Sequence, residues 1–160
     1  MPGLVFTSPD GQFVARLGTR RLRSLDRYRG RAGARETGGI LIGRYSASHT
    51  TAIIERVTGP PPDSKAGSTW FHRGVLGLQA LLDRLWTREE THYLGEWHYH
   101  PAIDTEPSGQ DFTQLRTIAM SPPYNCPEPL LLIVGKGARV ETSLRIFVVR
   151  AHERPVELIR

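Results

Sequence analysis

Two histidines separated by one residue give this chain a candidate for metal chemistry. Residues 95–101 read Gly-Glu-Trp-His-Tyr-His-Pro, and the aromatic and apolar residues around His98 favour a β-strand. Because successive strand side chains point to opposite faces, His98 and His100 share a face, with Cα atoms roughly 6.6 Å apart. Both imidazoles can then reach one metal ion at about 2.0–2.1 Å. Pro101 cannot continue a central strand, so we expect the chain to turn away there.

A carboxylate returns shortly after this turn. Ser108 and Asp111 have the spacing S-x-x-D, which resembles a helix capping box with Ser at the N-cap and an acidic residue at N3. The free N–H groups and the positive dipole of a helix N-terminus would also suit a developing oxyanion. Asp111 is therefore a candidate cap and a candidate third metal ligand. A lone H-x-H pair is equally consistent with two hydrogen-bonded histidines, so the combination of motifs carries the metal hypothesis.

The hydrophobic pattern and the turn residues predict a mixed α/β (α+β) layer structure, with one sheet flanked by about three helices. Strands are predicted at residues 4–7, 13–17, 36–43, 51–57, 68–72, 93–99, 130–134, 144–149 and 156–159, and helices at residues 19–29, 75–86 and 108–120. Two proline-rich loops are predicted at residues 58–67 and 121–129.

The composition is that of an ordinary globular chain of 160 residues, so we predict a single domain over residues 1–160. Cys126 is the only cysteine, which excludes an internal disulfide and a cysteine-based zinc site within one chain. The first residues do not resemble a signal peptide, and no apolar stretch approaches the ~20 residues of a membrane span. The sequence therefore predicts a cytoplasmic protein with no membrane contact.

Eight arginines crowd residues 16–35 of a chain whose formal net charge is only +5. Such a run is either a docking face for an acidic protein or for nucleic acid, or simply a solvated helix face. Few aromatic residues lie between the arginines, which argues against a single-stranded nucleic acid partner.

Taken together, these motifs resemble the JAB1/MPN/Mov34 family of metalloenzymes. The JAMM motif of that family is an upstream Glu, then H-x-H-P, then seven residues and S-x-x-D. Glu36 precedes a glycine-bearing apolar strand, as the upstream Glu of the family does. The order of strands and helices also matches over nearly the whole chain, which implies the cytidine-deaminase-like MPN/JAB fold. Tyr99 departs from the family, where Ser or Thr is commoner; we expect it to point to the opposite face of the sheet and to affect packing.

The resemblance implies that His98, His100 and Asp111 bind one zinc ion per chain. Three nitrogen and oxygen ligands leave a fourth position for water, as in catalytic zinc sites, and zinc can bring the pKa of such a water to about 7. Glu36 would take a proton from the water and pass it to the leaving amine, and Ser108 would hydrogen-bond the oxyanion.

Glu96 is an alternative acid or ligand, because it alternates onto the same strand face as His98 and His100. The family places its catalytic Glu upstream, which favours Glu36. Glu96 would then contact residues around the ligands without touching the metal, or lie at the rim of the site.

Characterised relatives mostly cleave after the C-terminal residue of ubiquitin or a ubiquitin-like protein. The resemblance therefore implies a zinc-dependent isopeptidase or peptidase that reverses bacterial protein conjugation. Similar small bacterial members belong to CBASS or Bil-type anti-phage operons, so E1/E2-like conjugation enzymes are the expected operon partners. The substrate would have a flexible C-terminal tail that adds as a strand at a sheet edge. The loops at 58–67 and 121–129 are candidate walls for its groove.

Three alternatives stay open at this point. The first is a peptidase that processes a ubiquitin-like or sulfur-carrier precursor. The second is a non-catalytic MPN scaffold, although scaffold members lack the ligands that this chain has. The third is a DNA-associated relative of the RadC type, in which the Gly-Glu-Trp lead-in before His98 is not expected.

Overall fold

The computed structural model describes residues 3–102 and 105–160, in which ten strands and three α-helices form. The strands are β1 (Leu4–Thr7), β2 (Val14–Leu17), β3 (Thr37–Tyr45), β4 (Thr51–Val57), β5 (Lys65–Ala66), β6 (Phe71–His72), β7 (His92–Tyr99), β8 (Leu130–Val134), β9 (Leu144–Val148) and β10 (Val156–Leu158). The helices are α1 (Thr19–Ala32), α2 (Leu78–Glu89) and α3 (Gly109–Ala119), with single 3₁₀ turns at Pro122–Tyr124 and Val140–Thr142.

Eight of these strands form one mixed sheet in the order β1-β2-β4-β3-β7-β8-β9-β10. The pairs β2–β4 and β7–β8 are parallel, and the other neighbours are antiparallel. Thr7 of β1 and Ile159, just after β10, exchange two backbone hydrogen bonds of 2.8 and 2.9 Å. The first and last strands therefore meet, and the sheet curls around one apolar interior. Strands β5 and β6 pair separately as a short ribbon.

Both faces of the sheet are covered, each by different helices. On the inner face, Leu22 and Leu25 of α1 join a buried cluster that includes Trp97. On the outer face, α2 packs through Leu85 and α3 through Leu115. Because both faces are buried, β8 reads as a continuous apolar run in the sequence.

A bulge near the start of β7 changes the face of the sheet to which its first residues point. The register between β3 and β7 shifts after the pair of Leu41 and Gly95, so that Ile42 pairs with Tyr93. A Cβ at Gly95 would lie 2.1 Å from the carbonyl oxygen of Leu130 on the neighbouring strand, so only glycine fits this close approach. The extra residue places Tyr93 on the same face as Glu96, although strict alternation would separate them.

The predicted fold class is confirmed: a mixed sheet with three helices in a single domain. The prediction of only one sheet and of a pure loop over residues 58–67 was wrong, since Lys65–Ala66 pairs with Phe71–His72. The predicted extent of the domain, residues 1–160, stays a prediction. No helix in the described parts of the chain combines the length and the apolar character needed to cross a bilayer.

Two helix boundaries differ from the predictions for local reasons. Helix α1 continues through Gly30 and ends at Ala32. Gly33 caps it, with a φ of +65° that suits glycine and an N–H that donates to the carbonyl of Arg29. Helix α2 begins at Leu78 rather than at Val75, and Val75 is exposed instead of facing the core. The Asp63 carboxylate accepts the backbone N–H groups of Val75 and of the next residue, each at 3.0 Å, and so holds this segment outside the helix.

The buried thiol of Cys126 offers a test of the packing behind α2. Burial raises the pKa of Cys126 to about 11, although a weak hydrogen bond with the Tyr45 hydroxyl opposes this. A raised pKa keeps the thiol protonated at pH 8, so the folded chain should react with iodoacetamide roughly 100-fold or more slowly than the denatured chain. Mass spectrometry of timed samples measures both rates, and equal rates would contradict the packing described here.

Candidate metal centre

The pairing of β3 with β7 brings residues distant in sequence to one end of the sheet. Thr37 pairs with Tyr99, so Glu36, directly before β3, lies beside His100, directly after β7. His98 is the neighbour of His100 on the same face of the strand. The backbone N–H of His100 donates to the carbonyl of Val134 at 2.9 Å, which extends the β7–β8 ladder past the strand end.

The N-terminal turn of α3 places the third candidate ligand. Ser108 is the N-cap: its hydroxyl oxygen accepts the N–H of Asp111 at 3.0 Å, and its own N–H donates to Asp111 Oδ2 at 2.9 Å. The predicted capping box is therefore present. The same hydrogen bonds fix the rotamer of Asp111, whose carboxylate faces the histidines.

His98, His100 and Asp111 converge in one cluster. His98 Nδ1 lies 3.0 Å from Asp111 Oδ1, and His100 Nε2 lies 3.4 Å from Asp111 Oδ2. One candidate ligand atom from each residue lies within 4.8 Å of the other two. Within residues 3–102 and 105–160, this is the one such group of His, Cys, Asp or Glu side chains.

The donor set and its spacing suit a zinc ion. Ligand atoms about 2.0–2.1 Å from a tetrahedral zinc lie roughly 3.4 Å from one another, close to the separations in this cluster. His98 Nε2 is also buried and has no hydrogen-bond partner among the described residues. A buried ring nitrogen without a partner costs free energy, and a bond from this nitrogen to a metal ion would remove that cost.

Glu36 lies against the cluster, beside His100. Its Oε1 lies 3.2 Å from His100 Nε2, and its backbone N–H donates to the carbonyl of Gly67 in the β5–β6 ribbon at 2.8 Å. Glu36 itself is buried. Burial raises the pKa of its carboxyl, and the charge of His100 opposes that rise. A buried carboxylate with a raised pKa is the usual form of a general base at neutral pH.

The electrostatics of the cluster favour a cation between the acidic groups. Burial would raise the pKa of Asp111, but contacts from the imidazoles of His100 and His98 hold it well below its usual range. Burial would lower the pKa of His100, but contacts with Asp111 and the charge of Glu36 raise it. Both carboxylates therefore attract positive charge at the point where the imidazoles meet them.

Two residues that support His98 were not identified as site residues from the sequence. The ring of Phe71 packs edge-on against the His98 imidazole, with centroids 5.5 Å apart. Gly38 pairs with His98 across the ladder, and a Cβ there would lie 2.4 Å from the Trp97 carbonyl oxygen and 2.9 Å from the His98 ring. Phe71 carries no local signal, because its contact with His98 depends on the position of the ribbon.

Glu96 lies outside the cluster. It is fully buried, forms an ion pair with Arg73, and accepts the hydroxyl of Tyr93 at 2.5 Å. Arg73 also donates to the Tyr124 hydroxyl at 2.7 Å. Glu96 therefore neutralises a buried arginine and is not one of the clustered ligands. Nothing in the sequence pattern identifies Arg73 as its partner.

The expected orientation of Tyr99 is confirmed. Tyr99 is buried in the inner cluster, on the face opposite the histidines, and Trp97 belongs to the same cluster. The loop at 121–129 does not form a wall of the metal centre: it follows α3 and precedes β8 at the far end of β7, where Tyr124 and Trp86 line a cavity of about 590 Å³.

Replacing Gly38 with alanine should disturb His98 without removing a ligand. The added Cβ overlaps the Trp97 carbonyl and the His98 ring, so Gly38→Ala should destabilise the fold by about 1–3 kcal/mol. Because the added Cβ displaces the His98 ring, zinc binding should also weaken about 10–100-fold. Denaturant unfolding and competition with a chromophoric chelator measure the two effects. Gly30→Ala is the control, since a Cβ there meets nothing; wild-type zinc affinity in Gly38→Ala would contradict this geometry.

The chain is similar to known proteins in sequence and in fold. The family described as prokaryotic homologues of the JAB domain matches residues 21–148. The solution structure of protein DSY2949 from Desulfitobacterium hafniense superimposes with a TM-score of 0.59 over 87% of this chain and 86% of that one, at 19% identity. This likeness concerns the fold alone.

Three curated relatives add sequence similarity. The chain is 44% identical over 128 residues to a CD-NTase/cGAS isopeptidase of Enterobacter hormaechei, covering 80% of this chain and 71% of the relative. It is 32% identical over 105 residues to one of Pseudomonas aeruginosa, covering 64% and 65%. It is 32% identical over 106 residues to the "Probable metalloprotease y4qB" of Sinorhizobium fredii, covering 64% and 63%. The fold, the converging side chains and these matches agree that the chain belongs to the family of prokaryotic homologues of the JAB domain.

Proposed function

We propose that this protein is a zinc-dependent isopeptidase that releases a ubiquitin-like or otherwise conjugated protein from its target. One observation carries the proposal: Glu36 lies 3.2 Å from His100, in contact with the cluster of His98, His100 and Asp111. Three nitrogen and oxygen ligands that leave a position for water, with a carboxylate beside them to act as a base, would suit hydrolysis by a catalytic zinc. The names of the relatives, isopeptidase and metalloprotease, support it.

The chain would hold zinc with two neutral imidazoles and one carboxylate. Zinc held in this way keeps a net positive charge and supplies the Lewis acidity that activates a water molecule near neutral pH. The cluster is largely buried, so its charges act in a medium of low dielectric constant, where they interact more strongly than in water.

Glu36 is proposed as the proton carrier. Its carboxylate would accept a proton from the attacking water and donate it to the amine that leaves. The backbone hydrogen bond from Glu36 to Gly67 and its burial under the β5–β6 ribbon fix the carboxylate beside the cluster, so that little reorganisation is needed during the reaction.

Ser108 is proposed to stabilise the oxyanion. Its hydroxyl oxygen accepts the N–H of Asp111, and a hydroxyl that accepts one hydrogen bond still has its own proton to donate. Ser108 is exposed, so that proton can reach a substrate carbonyl above the cluster. The N-terminus of α3 adds a favourable dipole at the same place.

The substrate is proposed to enter as an extended tail. The β5–β6 ribbon is only two residues long on each strand and lies beside Glu36 and His98, so an extended peptide could pair with its edge and reach the cluster. We further propose a CD-NTase/cGAS protein as the conjugated partner, E1/E2-like enzymes as the source of the conjugate, and a role in anti-phage defence in the cytoplasm. The CD-NTase/cGAS partner rests on the names of the relatives, and the other three proposals rest on the family resemblance.

Glu36→Gln separates proton transfer by Glu36 from zinc binding by His98, His100 and Asp111. The amide keeps the shape of the side chain but cannot carry the proton, so turnover of an isopeptide-linked conjugate should fall about 10²–10⁴-fold. Zinc content should stay at about one ion per chain, since Glu36 is not a ligand. Elemental analysis of the purified protein and gel-based cleavage assays measure the two quantities.

Two further variants complete the comparison. Asp111→Asn should lose both zinc and cleavage, whereas Glu90→Gln, at an exposed position after α2, should change neither. Full cleavage by Glu36→Gln would show that this residue is not the base. A purified wild-type chain that takes up no zinc would favour a non-catalytic scaffold.

A further inference from the structure

Four arginines form a continuous line along the exposed face of α1. Arg20, Arg23, Arg27 and Arg31 are spaced three, four and four residues apart, so at about 100° per residue they fall within roughly 80° of the helix circumference. All four side chains belong to exposed residues. From first to last they span about 16 Å at roughly 1.5 Å per residue. We refer to these four residues as the arginine stripe.

The charge of the arginine stripe is not neutralised within the described residues. Arg27 reaches the Ser24 hydroxyl at 3.5 Å, and Arg31 lies 6.0 Å from the Tyr28 ring, but no carboxylate forms an ion pair with any of the four. Asp26, the one acidic residue of α1, pairs instead with Arg29 on another side of the helix, at 2.8 Å.

This arrangement works against the stability of the helix. Arg23 and Arg27, and Arg27 and Arg31, are like charges four residues apart, which destabilises a helix. Arg20 and Arg21 stand in the first turn, where the helix dipole favours acids, and the Gly18 cap offers no side chain to compensate. A face that was merely solvated would be more stable with charges of both signs, so the stripe is better explained by something outside the chain.

Helix α1 is held rigidly on the inner face of the sheet, opposite the histidines, and its C-terminal end lies at the end of the sheet that carries the metal centre. Leu22 and Leu25 anchor α1 in the core, and Tyr28 stacks on Trp97 with ring centroids 5.7 Å apart, one residue from His98. On the inner side of the helix, Arg29 donates to the carbonyl of Gly135 at 2.9 Å. The chain then runs from the end of α1 to Glu36 in four residues.

We propose that the arginine stripe docks an acidic face of the protein whose tail enters the metal centre. This inference rests on the proposed function and names the charge of its substrate. Complementary charge beside an active site raises the rate of productive encounter, and the effect is screened by salt. The one aromatic residue of α1, Tyr28, is stacked on Trp97, so the stripe offers no ring on which bases could stack. An acidic protein therefore fits better than a single-stranded nucleic acid.

Two triple variants of equal charge change isolate the stripe. The test variant is R20Q/R23Q/R27Q, and the matched control is R84Q/R88Q/R154Q, whose arginines are also exposed. The probes are a fluorescent protein engineered to a strongly negative surface charge and a labelled DNA duplex. Binding of each probe to the full chain is measured by fluorescence anisotropy at 50 mM and 500 mM NaCl.

We expect the stripe variant, and not the control, to bind the acidic protein more weakly, and only at low salt. At 50 mM NaCl the Kd for the acidic protein should rise about 10-fold in the stripe variant and less than about 3-fold in the control, and at 500 mM the difference should vanish. The melting temperature of the stripe variant should equal or exceed that of the wild type, because like-charge repulsion is removed.

Other outcomes overturn the proposal. Equal weakening in both variants would make binding a matter of net charge alone. Tighter binding of the duplex than of the acidic protein, lost in the stripe variant, would make α1 a nucleic-acid surface. A lower melting temperature in the stripe variant would give the arginines a structural role.

Cleavage kinetics of the stripe variant distinguish docking by the arginine stripe from the isopeptidase activity itself. With a conjugate substrate, the stripe variant should raise KM about 10-fold at low salt, leave kcat unchanged, and cleave a short tail peptide at the wild-type rate. Unchanged KM for the conjugate would overturn docking while leaving the isopeptidase in place. If the wild-type chain cleaves no conjugate but binds the acidic protein as expected, the isopeptidase fails and the acidic-partner surface stands.

Discussion

The contact of one carboxylate with two imidazoles organises the functional end of this molecule. Asp111 meets His98 at 3.0 Å and His100 at 3.4 Å, while the cap formed with Ser108 fixes its rotamer. The capping box is therefore more than an ordinary helix start, because it also orients the Asp111 carboxylate towards the two histidines. Loss of this cap would release the start of α3 and the acidic member of the cluster together.

The sheet supplies the rest of the arrangement. Strand β7 delivers the two histidines and β3 delivers Glu36, and their antiparallel register decides that these groups meet. Gly38 leaves room for the His98 ring, while Gly95 allows the bulge that turns Tyr93 towards Glu96. The buried pair of Glu96 with Arg73 lies on the same face as the histidines. Removing one partner of such a pair leaves an uncompensated buried charge, so the pair also constrains the segment that carries Phe71 against His98.

Much of this architecture follows from local patterns. The strand that carries the histidines, the helix that begins at Ser108 and the opposite placement of Trp97 are set by alternation, by a proline and by a capping motif, all of which operate within a few residues. The convergence of Glu36 with His100 depended on family resemblance, because a charge at a strand start has no local signal. Arg73 and Phe71 could not be predicted, since their roles depend on how a ribbon and a loop fold over the sheet. The prediction that Val75 begins a helix was wrong because its backbone N–H donates to Asp63, which lies twelve residues earlier in the sequence.

We expect two imidazoles and one carboxylate of this chain to hold a single zinc ion. X-ray absorption spectroscopy at the zinc edge of the purified protein identifies the atoms around that ion. We expect a first shell of four nitrogen or oxygen atoms at about 2.0–2.1 Å, with outer-shell scattering from two imidazoles. A sulfur neighbour at about 2.3 Å, fewer than two imidazoles, or a shell that is unchanged in Asp111→Asn would contradict it.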